Sequence, residues 1–169
     1  VSEEVVRSAR TSVLVGRELS GDANYRVLIA LDGSGDSYEA LERLGQFCDV
    51  HAFDLTLLHV IESASPDFEE SVTEESSQEH QHVRAIRMRQ ADAILNHGLR
   101  LVEAWGSPCT PIVEEGDPAL EITGHAEEGG YDLIVAGATG VSEKTHSMLG
   151  SVSQQLAWNA PCSVLIVRS

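Results

Sequence analysis

Two glycine-bearing stretches hold the residues best placed to receive a charged ligand. One is Asp32-Gly-Ser-Gly-Asp-Ser37; the other is Gly137-Ala-Thr-Gly140, which continues to Gly150-Ser151-Val152-Ser153. Residues without a Cβ let a ligand come close to backbone N–H groups, and a serine-rich helix start adds hydroxyls at the positive end of a helix dipole. That combination suits phosphate. Two familiar phosphate motifs fail on this chain. A dinucleotide fingerprint would need glycine where Tyr38 stands after Gly33 and Gly35, and the close helix–strand approach would be blocked. Lys144-Thr145 follows Glu143 rather than glycine, which puts a carboxylate where a phosphate would approach.

Other reactive residue types are present without a pattern. There is no Gly-x-Ser-x-Gly elbow for a nucleophilic serine, and His146 beside Ser147 is ordinary loop composition, so no catalytic residues are expected. His80-x-His82, with Glu79 and the more distant His97, lies in polar sequence, and no metal site is expected there. Cys48, Cys109 and Cys162 are odd in number and far apart, which indicates neither a disulfide framework nor a zinc site. Small buried hydrophobes are the expectation for all three, and His59, inside an apolar run, is expected to be a satisfied core residue.

The loops can act together only if strands and helices bring them to one end of a sheet. Tyr25–Asp32, Asp54–Ile61, Asp132–Gly137 and Cys162–Val167 are short apolar runs that read as buried strands, and Thr110–Glu114 is a fifth whose Pro111 argues for a sheet edge. Helices are expected at about 37–50, behind a cap at Asp36 or Ser37, at about 82–105, from Asp117-Pro118 to Gly129-Gly130, and at 151–159. Strands alternating with helices predict an α/β fold: an open, doubly wound, five-stranded parallel sheet. In such a sheet the ligand lies beyond the strand ends where the strand order reverses. One domain at 25–169 is expected, with an acidic, solvated insertion at about 63–81 and residues 1–24 as an arm outside the main fold, either mobile or a short helix.

The 169 residues carry 11 Lys+Arg against 27 Asp+Glu, for a net charge of −16. Such a field repels nucleic-acid phosphates and anionic lipids, so neither nucleic acid nor a membrane surface is an expected partner. Lys144 is the single lysine. A lysine-poor, strongly acidic surface is the kind that stays hydrated at high salt, and a halophilic setting is expected. No stretch is long and apolar enough for a membrane span, and Glu3 and Glu4 stand where a signal peptide would be basic, so a cytoplasmic location is the expectation.

The spacing Gly137-x-x-Gly140-x9-Gly150-Ser151 resembles the ATP-binding branch of the universal stress protein family. The likeness covers most of residues 25–168, including Asp32, Leu57-Leu-His-Val60, Gly116-Asp-Pro118 and Ala160–Arg168. The resemblance implies a Rossmann-like sheet of the adenine-nucleotide α-hydrolase type and a regulatory protein of the stress response. Its ligand would be ATP with Mg²⁺. Asp32 would contact the nucleoside, the backbone at Val60 would recognise adenine, and Gly137, Gly140, Gly150, Ser151, Val152 and Ser153 would cradle the phosphates. It also implies a homodimer through Ser163–Arg168, taken to be an apolar, unpaired edge. Ala138 and Val141 depart from the family's pattern, which keeps open a protein-interaction module with a vestigial site. Asp32–Ser37 faintly resembles the phosphate loop of ATP-pyrophosphatases and nucleotidyl transferases, a further alternative. Slow ATP hydrolysis or autophosphorylation is compatible with the resemblance, although no general base is evident.

Overall fold

Four apolar runs, Tyr25–Ala30 (β2), Phe53–Glu62 (β3), Leu133–Gly137 (β5) and Ser163–Val167 (β6), make the middle of the sheet in a computed structural model describing residues 3–17, 25–63, 74–141 and 149–168. Cys109–Gly116 (β4) and Val13–Val15 (β1) are its edges. The order is β1-β6-β5-β2-β3-β4, parallel throughout except for the antiparallel β1–β6 pair. Leu28, Ile29, Leu57 and Ile134 are wholly buried because helices cover both faces.

Gly35–Phe47 (α2) and Glu74–Glu103 (α3) cover one face, where Leu41, Leu44, Leu95 and Val102 pack on Val27, Ile29 and Leu57. Pro118–Gly129 (α4), Ser151–Asn159 (α5) and Glu3–Ser8 (α1) cover the other, packing Ile122, Leu156 and Val6 on Leu28, Ile134 and Val164. From β2 the chain moves out through β3 to β4, then returns to β5 and β6 on the opposite side. The strand order therefore reverses between β2 and β5, which makes their carboxyl ends the place for a ligand.

Local chemistry explains most boundaries. Asp117 caps α4 through the N–H groups of Ala119 and Leu120, both at 3.0 Å, with Pro118 at the first helical position. Gly130, at φ 61°, ends that helix in the left-handed conformation that glycine adopts without strain. The expected cap of α2 is corrected: Ser34 is the cap, its Oγ accepting from Ser37 N at 3.2 Å, while Asp36 is buried. The expected loop at 63–81 is corrected over its last part, since α3 already begins at Glu74; residues 64–73 lie outside the described residues. Glutamate is a good helix former and suits the positive helix start, so an acidic stretch without apolar periodicity still entered the helix.

Two expectations about the chain ends are also corrected. Residues 3–17 do not stand outside the fold: Val6 and Val15 are 3% and 4% exposed within the α4–α5 core layer. Val13–Val15 pairs with β6, so the edge at Ser163–Arg168 is not unpaired; three consecutive apolar residues sufficed to extend the sheet to six strands. The cysteines divide as well. Cys162 is buried and Cys109 half-buried, and burial raises both thiols to about 11, whereas Cys48 is exposed at the end of α2. At pH 8 a thiol reagent is expected to label one site quickly, and Cys48→Ser should remove that fast phase; two or more fast equivalents would contradict the burial.

Candidate functional site

Beyond Ala30 the chain leaves β2 through Leu31, whose N–H donates to Leu58 O at 2.9 Å and closes the β2–β3 ladder. Along a strand, backbone groups two residues apart face the same neighbour. Val60, two residues past Leu58, therefore turns its N–H and C=O toward the space above the end of β2. The ring of His59 is fixed there too, its Nδ1–H donating to Leu31 O at 2.7 Å, so the half-buried histidine is satisfied as expected.

Asp32 follows at the mouth and joins the two glycine stretches. Its Oδ1 accepts from Ser34 N at 2.9 Å, turning the chain into α2, and its Oδ2 accepts from Val141 N at 3.1 Å. Asp36 adds a second tie. From the first turn of α2 its buried Oδ2 accepts the Thr139 hydroxyl at 2.5 Å and lies 3.3 Å from Thr139 N. The loop after β5 is thus anchored at Thr139 by a carboxylate from the first turn of α2 and at Val141 by one from the loop after β2.

Gly137 and Gly140 have different reasons for lacking a side chain. A Cβ on Gly137 would lie 2.8 Å from the backbone of Asp36 and Ser37, so this glycine admits the start of α2 against the end of β5. A Cβ on Gly140 would lie 2.9 Å from Asp32 Oδ2, at the mouth itself. The hydroxyl of Ser153 is buried and donates to Gly137 O at 2.6 Å, which locks α5 to the strand end instead of leaving that proton for a ligand. Gly150 N–H donates to Ala138 O at 2.7 Å and sets the entry into α5.

These elements enclose a cavity of about 410 Å³. All eight residues expected at the site (Asp32, Val60, Gly137, Gly140, Gly150, Ser151, Val152 and Ser153) line it. Glu62, Pro118 and Ile122 form a wall that sequence reasoning missed, because nothing in their spacing marks α4 as a neighbour of β3. Thr139 and Asp36 were also missed, since an acidic residue in a first helical turn is commonplace. The start of α5 carries no side-chain cap and no acidic residue in its first turn, whereas α2 has Ser34 and Asp36. Among the described lining residues the charged ones are Asp32 and Glu62, with no cation. Glu143, Lys144, Thr145, His146 and Ser147 lie outside the described residues, as do the side chains of Glu79 and His80. Among the described residues no group of His, Cys, Asp and Glu is arranged to hold a metal ion, and no helix is long and apolar enough to cross a membrane.

A model of the universal stress protein family matches residues 24–168. The chain belongs to the universal stress protein family. It is 32% identical over 145 residues to universal stress protein YxiE of Bacillus subtilis, covering 85% of this chain and 98% of that protein. Among solved structures it resembles a universal stress protein in complex with cAMP, with TM-score 0.63 and 24% identity over 87% of this chain and 99% of the other. It also resembles a family protein from Arabidopsis thaliana with AMP bound, with TM-score 0.61 and 19% identity over 85% and 91%. These likenesses establish a Rossmann-like α/β fold with a largely parallel six-stranded sheet.

Proposed function

We propose that this universal stress protein is a regulatory adenine-nucleotide binder of the stress response, taking ATP with Mg²⁺ in the cavity above β2, β3 and β5. The observation that carries the proposal is that the start of α5, which has no side-chain cap, lines the same cavity as Val60, which lies past the end of the β2–β3 pairing. The first suits phosphate and the second suits the hydrogen-bonding edge of a purine. Asp32 lines the same cavity and would contact the ribose. Gly137 and Gly140 shape the loop that leads to the phosphate end, and the backbone of Gly150, Ser151, Val152 and Ser153 forms that end. Family structures with cAMP and AMP support adenine as the base.

The residues present fit Mg²⁺ only as a companion of the nucleotide. Magnesium is commonly held by one or two carboxylates together with substrate phosphates, and Asp32 and Glu62 are the carboxylates among the described residues lining this cavity. Such an ion would neutralise phosphate charge where the described lining residues offer no cation. The test is the unfolding temperature with ATP·Mg²⁺, ADP, AMP and GTP in concentrated KCl. A ligand that binds only the native state stabilises it by about 2.7 kcal/mol at a hundred times its Kd, which corresponds to roughly 5–10 °C for a domain of this size. An adenine-selective rise is expected. No rise with any nucleotide overturns the proposal and favours the protein-interaction module, while pyrophosphate release in the presence of an acceptor favours nucleotidyl transfer.

A further inference from the structure

The strand β3 outruns one of its neighbours. Its pairing with β2 stops at Leu58, opposite Ala30, whereas its pairing with β4 continues to Glu62, opposite Gly116. Residues 59–62 are therefore held by a strand on one side only. Successive residues of a strand turn their backbone groups to alternate neighbours. Leu58 O accepts from Leu31 N on the β2 side and Ser63 N donates to Gly116 O on the β4 side, so Val60 and Glu62 turn their backbone toward the space that β2 has left. The guanidinium of Arg87, from α3, donates to Glu62 O at 3.2 Å and closes that row.

Side chains alternate as well. Leu58 and Val60 pack in the α4–α5 layer and Leu55 and Leu57 in the α2–α3 layer, so Glu62 falls on the α4 side, where it lines the cavity together with Pro118 and Ile122. Its carboxylate is uncommitted. Among the described residues that carboxylate has no hydrogen-bond or ion-pair partner, and Arg87, which reaches the same residue, donates to its carbonyl instead. An ionised carboxylate only accepts hydrogen bonds. Two residues beyond Val60 on the same face, it serves a ligand N–H and opposes a ligand oxygen or phosphate. The start of α5, with no side-chain cap, suits the anion.

We propose that Glu62 is a specificity-determining residue for an exocyclic amine: its carboxylate accepts from the 6-amino group of adenine while the backbone of Val60 meets the ring edge. The assignment rests on the proposed binding of nucleotide in this cavity. A 6-oxo purine presents an acceptor where adenine presents a donor, and two acceptors facing each other leave both unpaired, so guanine and hypoxanthine nucleotides are disfavoured. The same charge keeps phosphates away from this end, so one side chain sets both the base and the direction of the ligand. Asp32 is then the carboxylate left for a cation that accompanies the phosphates.

The test compares ATP with purine riboside triphosphate, which keeps the ring nitrogens and lacks only the 6-amino group. Affinities are measured by titration calorimetry in concentrated KCl, with and without Mg²⁺, on wild type, Glu62→Gln and Glu62→Ala. Glu62 is exposed at a strand end, so the variants are expected to fold. Wild type is expected to prefer ATP. In Glu62→Ala the affinity for ATP is expected to fall about tenfold, the scale of a lost hydrogen bond to a charged group, with purine riboside triphosphate bound no more weakly. The ratio of the two affinities decides, because a general change of charge near the phosphates affects both nucleotides alike. Glu62→Gln keeps an accepting oxygen without the charge, and its ratio is expected between those of wild type and Glu62→Ala. A Glu62→Ala ratio equal to that of wild type overturns the proposal, and so does an equal weakening of both nucleotides seen only with Mg²⁺, which would make Glu62 a cation ligand. A wild type that binds neither nucleotide overturns nucleotide binding itself and this assignment with it, a result distinct from the other two.

Discussion

Gly137→Val is expected to destabilise the fold by about 3 kcal/mol, the upper part of the usual range for overpacking, and to lower the unfolding temperature by roughly 6–12 °C. The physical reason is the neighbour. The new Cβ would come within 2.8 Å of the backbone carbon of Asp36 and the nitrogen of Ser37, and a helix backbone cannot step aside as a flexible side-chain end can. Relief requires α2 to lift from the end of β5, which stretches the bonds from Thr139 to Asp36 and loosens the loop beyond. Loss of stability and loss of nucleotide response are therefore expected together. Gly124→Ala is the comparison: this glycine lies in α4 with open space around its absent Cβ, and alanine there is expected to stabilise by up to about 1 kcal/mol. Chemical denaturation of the two variants beside wild type decides the matter. A Gly137→Val protein as stable as wild type would mean that α2 and β5 do not approach as described.

The same glycine shows where sequence was informative and where it was not. Its place in Gly-x-x-Gly-x9-Gly-Ser pointed to a loop that lines the cavity, because the spacing encodes a strand end, a turn and a helix start in fixed order. Its physical task did not follow from the motif: a missing Cβ reads equally as room for a ligand and as room for a helix, and only the third dimension shows the backbone of Asp36 behind it. The central strands were legible because a parallel sheet buried on both faces demands continuous apolar runs. Val13–Val15 was not, being three residues of ordinary composition whose strand character comes from β6 as a partner rather than from any pattern of its own. Asp36 was passed over as a helix cap for a related reason. Local rules place an acidic residue at a helix start, and nothing local reveals that Thr139, a hundred residues away, supplies its hydrogen bonds. Ser34, three residues before Ser37, was the better cap candidate, since its oxygen reaches the N–H that a cap must satisfy.

Gly140→Glu is expected to abolish the nucleotide-dependent rise in unfolding temperature while leaving the unliganded protein folded. The backbone permits the change, because among the described glycines positive φ is confined to Gly33, Gly106 and Gly130. Steric demands are local. The added Cβ would lie 2.9 Å from Asp32 Oδ2, a side-chain atom at an exposed mouth that can rotate away, at the cost of its bond to Val141 N. Electrostatics then does the larger harm. A third carboxylate would join Asp32 and Glu62 around a cavity whose described lining has no cation, and like charges a few ångströms apart repel even where solvent screens them. A polyanion would meet that repulsion at the point where the amides of the loop and of α5 should receive it. A 100-fold loss of affinity removes about 2.7 kcal/mol of ligand stabilisation, enough to erase the shift. Gly140→Ala separates the two contributions: it brings the same Cβ without the charge and is expected to keep part of the response. If Gly140→Glu binds nucleotide as wild type does, the phosphates lie elsewhere; if Gly140→Ala loses binding as fully as Gly140→Glu, the tie between Asp32 and Val141, and not charge, is what the site depends on.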